Sequence, residues 1–222
     1  MEKKFMAETP QQLPRTLWIA MIFLLGFLCL AGLLALAEVK KEQQPLPIYG
    51  QIADFTLTNE NGQATTLANL TNHVWVADII FTRCAGPCPR MTAQMKSVQD
   101  GLSQDDNTRL VTLTTDPDYD SPQILKRYGQ RFGADFSRWI FLTGTKSEIA
   151  GLAGNSLKLG STPIAPADQK NAADLFIHTT IFVVVDKHAR MRGIYETGGE
   201  DVSWDNMRAN VLATIRRLER EP

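Results

Sequence analysis

Apolar strands alternating with helical segments, then a late hairpin and a closing amphipathic helix, predict an α/β fold. The arrangement expected is a sandwich of the thioredoxin type around a central mixed β-sheet. Three stretches carry that prediction. "VWVADIIF" (74–81) is a nearly continuous apolar run of strand length. "IHTTIFVVV" (177–185) is a second β-branched run. Met207, Val211, Leu212, Ile215 and Leu218 form one apolar stripe near the C-terminus.

The elements follow in order. Leu17–Ala37 is 21 residues without a charge. As a helix it would reach roughly 30 Å, enough to cross a bilayer. Lys3, Lys4 and Arg15 precede it and outnumber Glu2 and Glu8, which favours a cytoplasmic N-terminus. Trp18 suits an interfacial position. "ALA" at 35–37 also resembles a signal-peptidase site. The apolar core is longer than the roughly 7–15 residues of a signal sequence, so a retained anchor is the expectation. The expected organisation is a cytoplasmic segment 1–16, a transmembrane anchor 17–37, a linker 38–49 and a folded domain 50–222.

Within the domain, "IADFTL" (52–57) reads as a short strand and Asn61-Gly62 as a turn. After the 74–81 strand, a helix is expected beyond Cys88 towards Gly101, with Pro89 tolerated in its first turn. "RLVTLTT" (109–115) is the next strand, followed by the polar loop "DPDYDSP" and a helix from about Pro122 to Phe132. "WIFL" (139–142) is a further strand, and Lys146 to about Leu152 a further helix. Residues 153–175, with Gly154, Gly160, Pro163 and Pro166, read as a long loop. The 177–185 strand then turns at 186–189 into "RMRGIY" as its hairpin partner. Trp75, Trp139 and Trp204 lie on apolar segments and belong to the core or its edge.

The formal net charge of −1 on 222 residues argues against a nucleic-acid-binding domain. Three cysteines exclude a disulfide scaffold. Cys29 sits inside the anchor as an apolar filler. Cys84 and Cys88, in "FTRCAGPCPRM", need a local explanation. A disulfide, a pair of metal ligands and two buried thiols are the readings the spacing leaves open. The free N–H groups of a helix start favour thiolate, and Arg83 adds positive charge. Two thiolates suit a soft metal such as Cu(I) or zinc, and imidazole extends the set to Cu(II). Of the three histidines, His73 and His188 read as ordinary polar positions. His178 opens a strand, where α/β sheets build their sites, and competes with the reading of a core-edge histidine.

The motifs together resemble the Sco/SenC family of membrane-anchored, thioredoxin-like copper-binding proteins. "FTRCAGPCP" is similar to its F-T-x-C-x-x-x-C-P signature. "VTLTTDPDYDSP" resembles its strand followed by D-P-x-x-D-T/S-P, and "HTTIFVVVDKHARMRGIY" its histidine-led strand and turn. The resemblance implies copper, as Cu(I) and Cu(II), held by Cys84, Cys88 and His178. It implies as acceptor the Cu-A subunit of cytochrome c oxidase during assembly, or another copper acceptor. A bacterial inner membrane with the domain in the periplasm fits the short, acid-containing N-terminus.

The chain departs from the family's usual C-P-D-x-C-P. Ala85, Gly86 and Pro87 stand between the cysteines, so an acidic neighbour is missing. Asp78 and Asp116 are candidate neighbours that would orient or tune the ligands, and Asp78 reads equally as a solvated edge or loop residue. Asp116, Asp118 and Asp120 mimic the opening of an EF-hand but lack its glycine and terminal glutamate, so a turn and helix cap is expected there. Two other functions use the same pair: a thiol–disulfide oxidoreductase acting on a membrane or periplasmic partner, and a copper or redox sensor. Redox sites of this fold normally use C-x-x-C, which weighs against the first.

Overall fold

The computed structural model describes residues 15–43, 45–104, 107–159, 162–163, 176–177, 180–199 and 202–221. The chain divides into two units, Met1–Pro45 and Leu46–Pro222.

The first unit contributes helix α1, Arg15–Gln43. Among the described residues no helix is long and apolar enough to cross a membrane. The described side chains of α1 run from Trp18 to Leu34 and are all exposed, and they stop short of both ends of the 17–37 apolar run. Most of the expected cytoplasmic segment lies outside the described residues.

The second unit runs β1 (Gly50–Gln51), β2 (Thr56–Asn59), β3 (Ala64–Thr66), β4 (Trp75–Ile80), α2 (Cys88–Gly101), β5 (Arg109–Thr114), α3 (Pro122–Arg131), β6 (Trp139–Thr143) and α4 (Lys146–Ala150). It continues with a π-helical turn (Gly151–Ser156), β7 (Thr162–Pro163), β8 (Phe176–Ile177), β9 (Ile181–Val185), β10 (Arg190–Glu196) and α5 (Trp204–Arg220). Eight strands form one mixed sheet in the order β1-β10-β9-β4-β5-β6-β2-β3. β4, β5 and β6 are parallel, as expected of strands joined by helical crossovers. β9 and β10 form the antiparallel hairpin that the sequence predicts.

Two expectations about strands shift. The 52–57 segment is not one strand: only its last two residues, Thr56 and Leu57, belong to β2, and Ile52 instead donates its N–H to the Ala189 carbonyl at 2.9 Å. The 177–185 run is not one strand either. Phe176–Ile177 pairs with Thr162–Pro163 in a separate ribbon, while β9 starts at Ile181. The reason is a change of partner, which apolar content does not encode. The Thr180 carbonyl accepts the N–H of Thr197 at 2.6 Å, so the main sheet resumes against β10.

Every residue of β4 is buried, because both faces of the sheet are covered. Val76 and Ile80 face a cluster with Met91, Met95 and Val98 of α2, Leu125 and Tyr128 of α3, and Val211, Ile215 and Leu218 of α5. Trp75, Ala77 and Ile79 face the other cluster, with Ile149 and Leu152. Burying each such aliphatic side chain is worth about 1.5–3 kcal/mol. α3 approaches β6 closely through Gly129, where an added Cβ would stand 2.8 Å from Cε2 of Phe141. The start of this unit is tied down by the buried Arg192 of β10. Its guanidinium donates to the Leu46 and Pro47 carbonyls and to Asp186 and Glu221, at 2.7–3.2 Å.

Candidate metal centre

β4 delivers the chain to the site, and α2 begins at Cys88 itself. Pro87 occupies the cap position, a proline opens the first turn, and the Met91 N–H bonds the Pro87 carbonyl at 3.0 Å. This start is where the sequence places it, because proline has no amide hydrogen to lose there. The loop before it is folded tightly. The Cys84 N–H donates to the Phe81 carbonyl at 3.2 Å, and the Gly86 N–H points at Cys84 Sγ at 3.3 Å.

Both cysteines are free thiols and both belong to the core cluster beneath α2. Cys84 keeps 6% of its surface exposed and Cys88 none, so an incoming group meets Cys84 first. Burial pushes the Cys88 thiol far above the ordinary range. The Phe81 backbone opposes that shift, while the neighbouring Cys84 thiol and Asp78 add to it. The helix start was expected to favour thiolate, and here desolvation outweighs it. Arg83 does not lend its positive charge to the pair as expected. Its Nε and a terminal nitrogen bind Asp116 Oδ2 at 2.8 and 2.7 Å, and its guanidinium lies 4.5 Å above the Tyr119 ring centroid.

Strand alternation puts Asp78 on the same face of β4 as Val76 and Ile80, the face that carries the cysteine cluster. Asp78 is fully buried. Thr112 Oγ1 donates to its Oδ1 at 2.7 Å, and Trp139 Nε1 donates to the same threonine at 2.9 Å. Burial raises the carboxyl to about 7, with the Thr112 bond pulling the other way.

The three aspartates of the 116–120 loop have three separate partners. Asp116 takes Arg83, Asp118 pairs with Lys146, and Asp120 takes Thr82 and Thr114. They do not converge on a cation. Asp120 is not the cap of α3, which is Ser121. It accepts the Thr82 N–H at 3.1 Å, the Thr82 hydroxyl, and the Thr114 hydroxyl at 2.5 Å. It therefore pins the residue two before Cys84, a role that sequence reading missed. The regular D-P-x-x-D spacing was the available signal.

His178 lies outside the described residues. His73 contacts the Asn107 carbonyl at 2.9 Å, and His188 sits in the β9–β10 turn, consistent with ordinary polar roles. Among the described residues no three His, Cys, Asp or Glu side chains gather to hold a metal. Two soft donors are nevertheless adjacent in a dry wall, which fits Cu(I).

A mixed sheet with helices on its faces and a buried dithiol at the strand-to-helix turn defines a thioredoxin-like protein. The SCO1/SenC family model matches residues 44–212, and the chain belongs to this family. The SCO1 protein homolog of Bacillus subtilis (strain 168) is 32% identical over 86% of this chain and 91% of its own length. The solved structure of BsSco, described as a member of the Sco family of cytochrome c oxidase assembly proteins with a disulfide switch, is 29% identical. It covers 81% of this chain and 100% of its own, with a TM-score of 0.65. Bradyrhizobium japonicum ScoI, solved with copper bound, shares the fold at a TM-score of 0.62 and 21% identity, over 76% of this chain and 99% of its own.

Proposed function

We propose that the chain is a membrane-anchored copper chaperone for assembly of the Cu-A centre of cytochrome c oxidase. Copper, as Cu(I) and Cu(II), is its cargo, carried by Cys84, Cys88 and His178. The single observation that carries the reading is the free, adjacent Cys84–Cys88 pair at the opening of α2 in a chain of this family. Copper bound in ScoI and the assembly role given for BsSco support it.

The residues divide the work. Cys88, buried and protonated, gives up its proton when a metal takes its place. Cys84, at the surface edge, is where an acceptor's thiolate or thioether enters. His178 completes the donor set and favours retention of Cu(II). Asp78 and Asp116 act one layer out, the first through its charge beside Cys88 and the second by holding Arg83. Residues 17–37 anchor the chain in a bacterial inner membrane as a single pass, residues 1–16 stay in the cytoplasm, 38–49 form the linker, and 50–222 lie in the periplasm.

The same pair favours a second reading, reduction of an acceptor disulfide. Cys84 thiolate attacks one sulfur, the other leaves as thiolate, and Cys88 then displaces the acceptor from the mixed disulfide. The acceptor ends as a dithiol and the chain as a Cys84–Cys88 disulfide.

The test is an anaerobic Cu(I) titration of the reduced full chain in detergent against a calibrated competing chelator. One Cu(I) per chain is expected, lost in Cys84→Ser and Cys88→Ser. His178→Ala should weaken binding, Cu(II) more than Cu(I). Unchanged stoichiometry in all three variants would overturn the assignment. Absence of Cu(I) binding by the folded wild type would favour the disulfide reading.

A further inference from the structure

A second feature adjoins the cysteines. A cavity of about 310 Å³ is lined by Thr82, Arg83, Tyr119, Arg127, Tyr128 and Arg131, with one further residue, Ile124. Three of its walls are guanidinium groups, and none is acidic. Arg83 is already paired with Asp116. Among the described residues Arg127 and Arg131 have no acidic partner, and both are exposed. They stand four apart on α3, where like charges oppose each other and cost the helix stability. Arg131 nevertheless keeps close to the wall, 5.4 Å from the Tyr128 ring centroid and 5.3 Å from that of Phe132. A near-neutral chain thus gathers in one concave place two arginines that, among the described residues, have no acidic partner.

That place is next to the exchange site. Thr82 and Arg83 run directly into Cys84. The Tyr128 hydroxyl lies 2.8 Å from the Thr92 hydroxyl, which donates to the Cys88 carbonyl at 2.9 Å. Guanidinium forks bind carboxylates in two-point fashion, and exposed Arg and Tyr are the side chains most used as anchors at interfaces.

We propose that this cavity is the docking site for an acidic segment of the protein that exchanges with Cys84. Carboxylates of the partner sit between Arg127 and Arg131, and its chain passes over Tyr119. The inference rests on the reading of Cys84 and Cys88 as a site of exchange with a protein, but its test needs no copper.

The probe is a fluorescein-labelled five-residue peptide of alternating Asp and Glu, followed by anisotropy with the full chain in an uncharged detergent at low salt. Binding is expected, and the matching Asn/Gln peptide should not bind. Arg127→Gln/Arg131→Gln should weaken the acidic peptide at least tenfold. Arg216→Gln/Arg220→Gln removes the same charge from α5 and should change it less than twofold. Equal loss in both double variants would mean unspecific attraction and overturn the proposal. So would no binding, unchanged binding in Arg127→Gln/Arg131→Gln, or displacement by inorganic phosphate at a concentration equal to the peptide's. The Arg127→Gln/Arg131→Gln variant should take up as much Cu(I) as the wild type, whereas failure of the copper reading shows in the wild type or in the cysteine and histidine variants and leaves the peptide result untouched.

Discussion

Thr112 Oγ1 donates a 2.7 Å hydrogen bond to Oδ1 of Asp78, its register partner across the β4–β5 ladder, and Oδ2 of the same carboxyl has no partner among the described residues. One bond cannot replace the water that a carboxylate loses on burial. The group therefore holds its proton up to about pH 7 in the folded chain, against an ordinary value of 3.8.

The sign of the resulting pH dependence is fixed. Between the ordinary value and the raised one, the folded chain binds a proton that the unfolded chain has released. Stability then falls as pH rises through that window and levels off above it. At 1.36 kcal/mol per unit the penalty is at most about 4 kcal/mol. Asp78→Asn cannot ionise, so its urea midpoint should gain on the wild type between pH 5 and pH 8. Parallel pH profiles for the two reduced, metal-free proteins would show that Asp78 is not the titrating group.

Cys88 should behave as a poor nucleophile until a metal or a mixed disulfide engages it. Burial raises it first, with Cys84 and Asp78 adding to the shift. Its alkylation by iodoacetamide, followed by peptide mapping, should keep accelerating past pH 10. A free thiol would level off above its pKa of about 8.5. Asp78→Asn removes a negative charge from its surroundings and should speed alkylation at alkaline pH. A plateau for Cys88 near pH 9 in the wild type would contradict the burial argument.

Asp120 should matter to both stability and the metal. Asp120→Ala strips an acceptor from the Thr82 N–H and from the Thr82 and Thr114 hydroxyls. Leaving such groups unsatisfied costs about 2–4 kcal/mol in total. The same change frees the turn that enters Cys84, so Cu(I) affinity should drop while the stoichiometry stays at one. Asp120→Asn keeps an acceptor and should recover part of both losses. A urea midpoint for Asp120→Ala within error of the wild type would show that the loop does not depend on this carboxylate.

Much of the frame is local chemistry and was legible in the chain. The apolar run before Cys84 made β4, the prolines around Cys88 set the start of α2, and the stripe from Val211 to Leu218 gave α5 its buried face. The C-x-x-x-C pair, in order with D-P-x-x-D and the later histidine-led segment, carried the family.

Tertiary structure decided the rest, because each outcome depends on groups distant in sequence. Burial under α2 reversed the expectation that a helix start would favour a Cys88 thiolate. Strand alternation and Thr112, 34 residues away, put Asp78 in the core rather than at a solvated edge. Asp116, Asp118 and Asp120 look like one acidic cluster in the sequence, yet Arg83, Lys146 and Thr82 draw them apart. The 177–185 run is divided because Ile177 pairs with Thr162 while Ile181 pairs with Glu196. Periodicity and motif spacing report which residues want burial or a turn. Desolvation, ion pairing and strand partners are set only when remote segments meet.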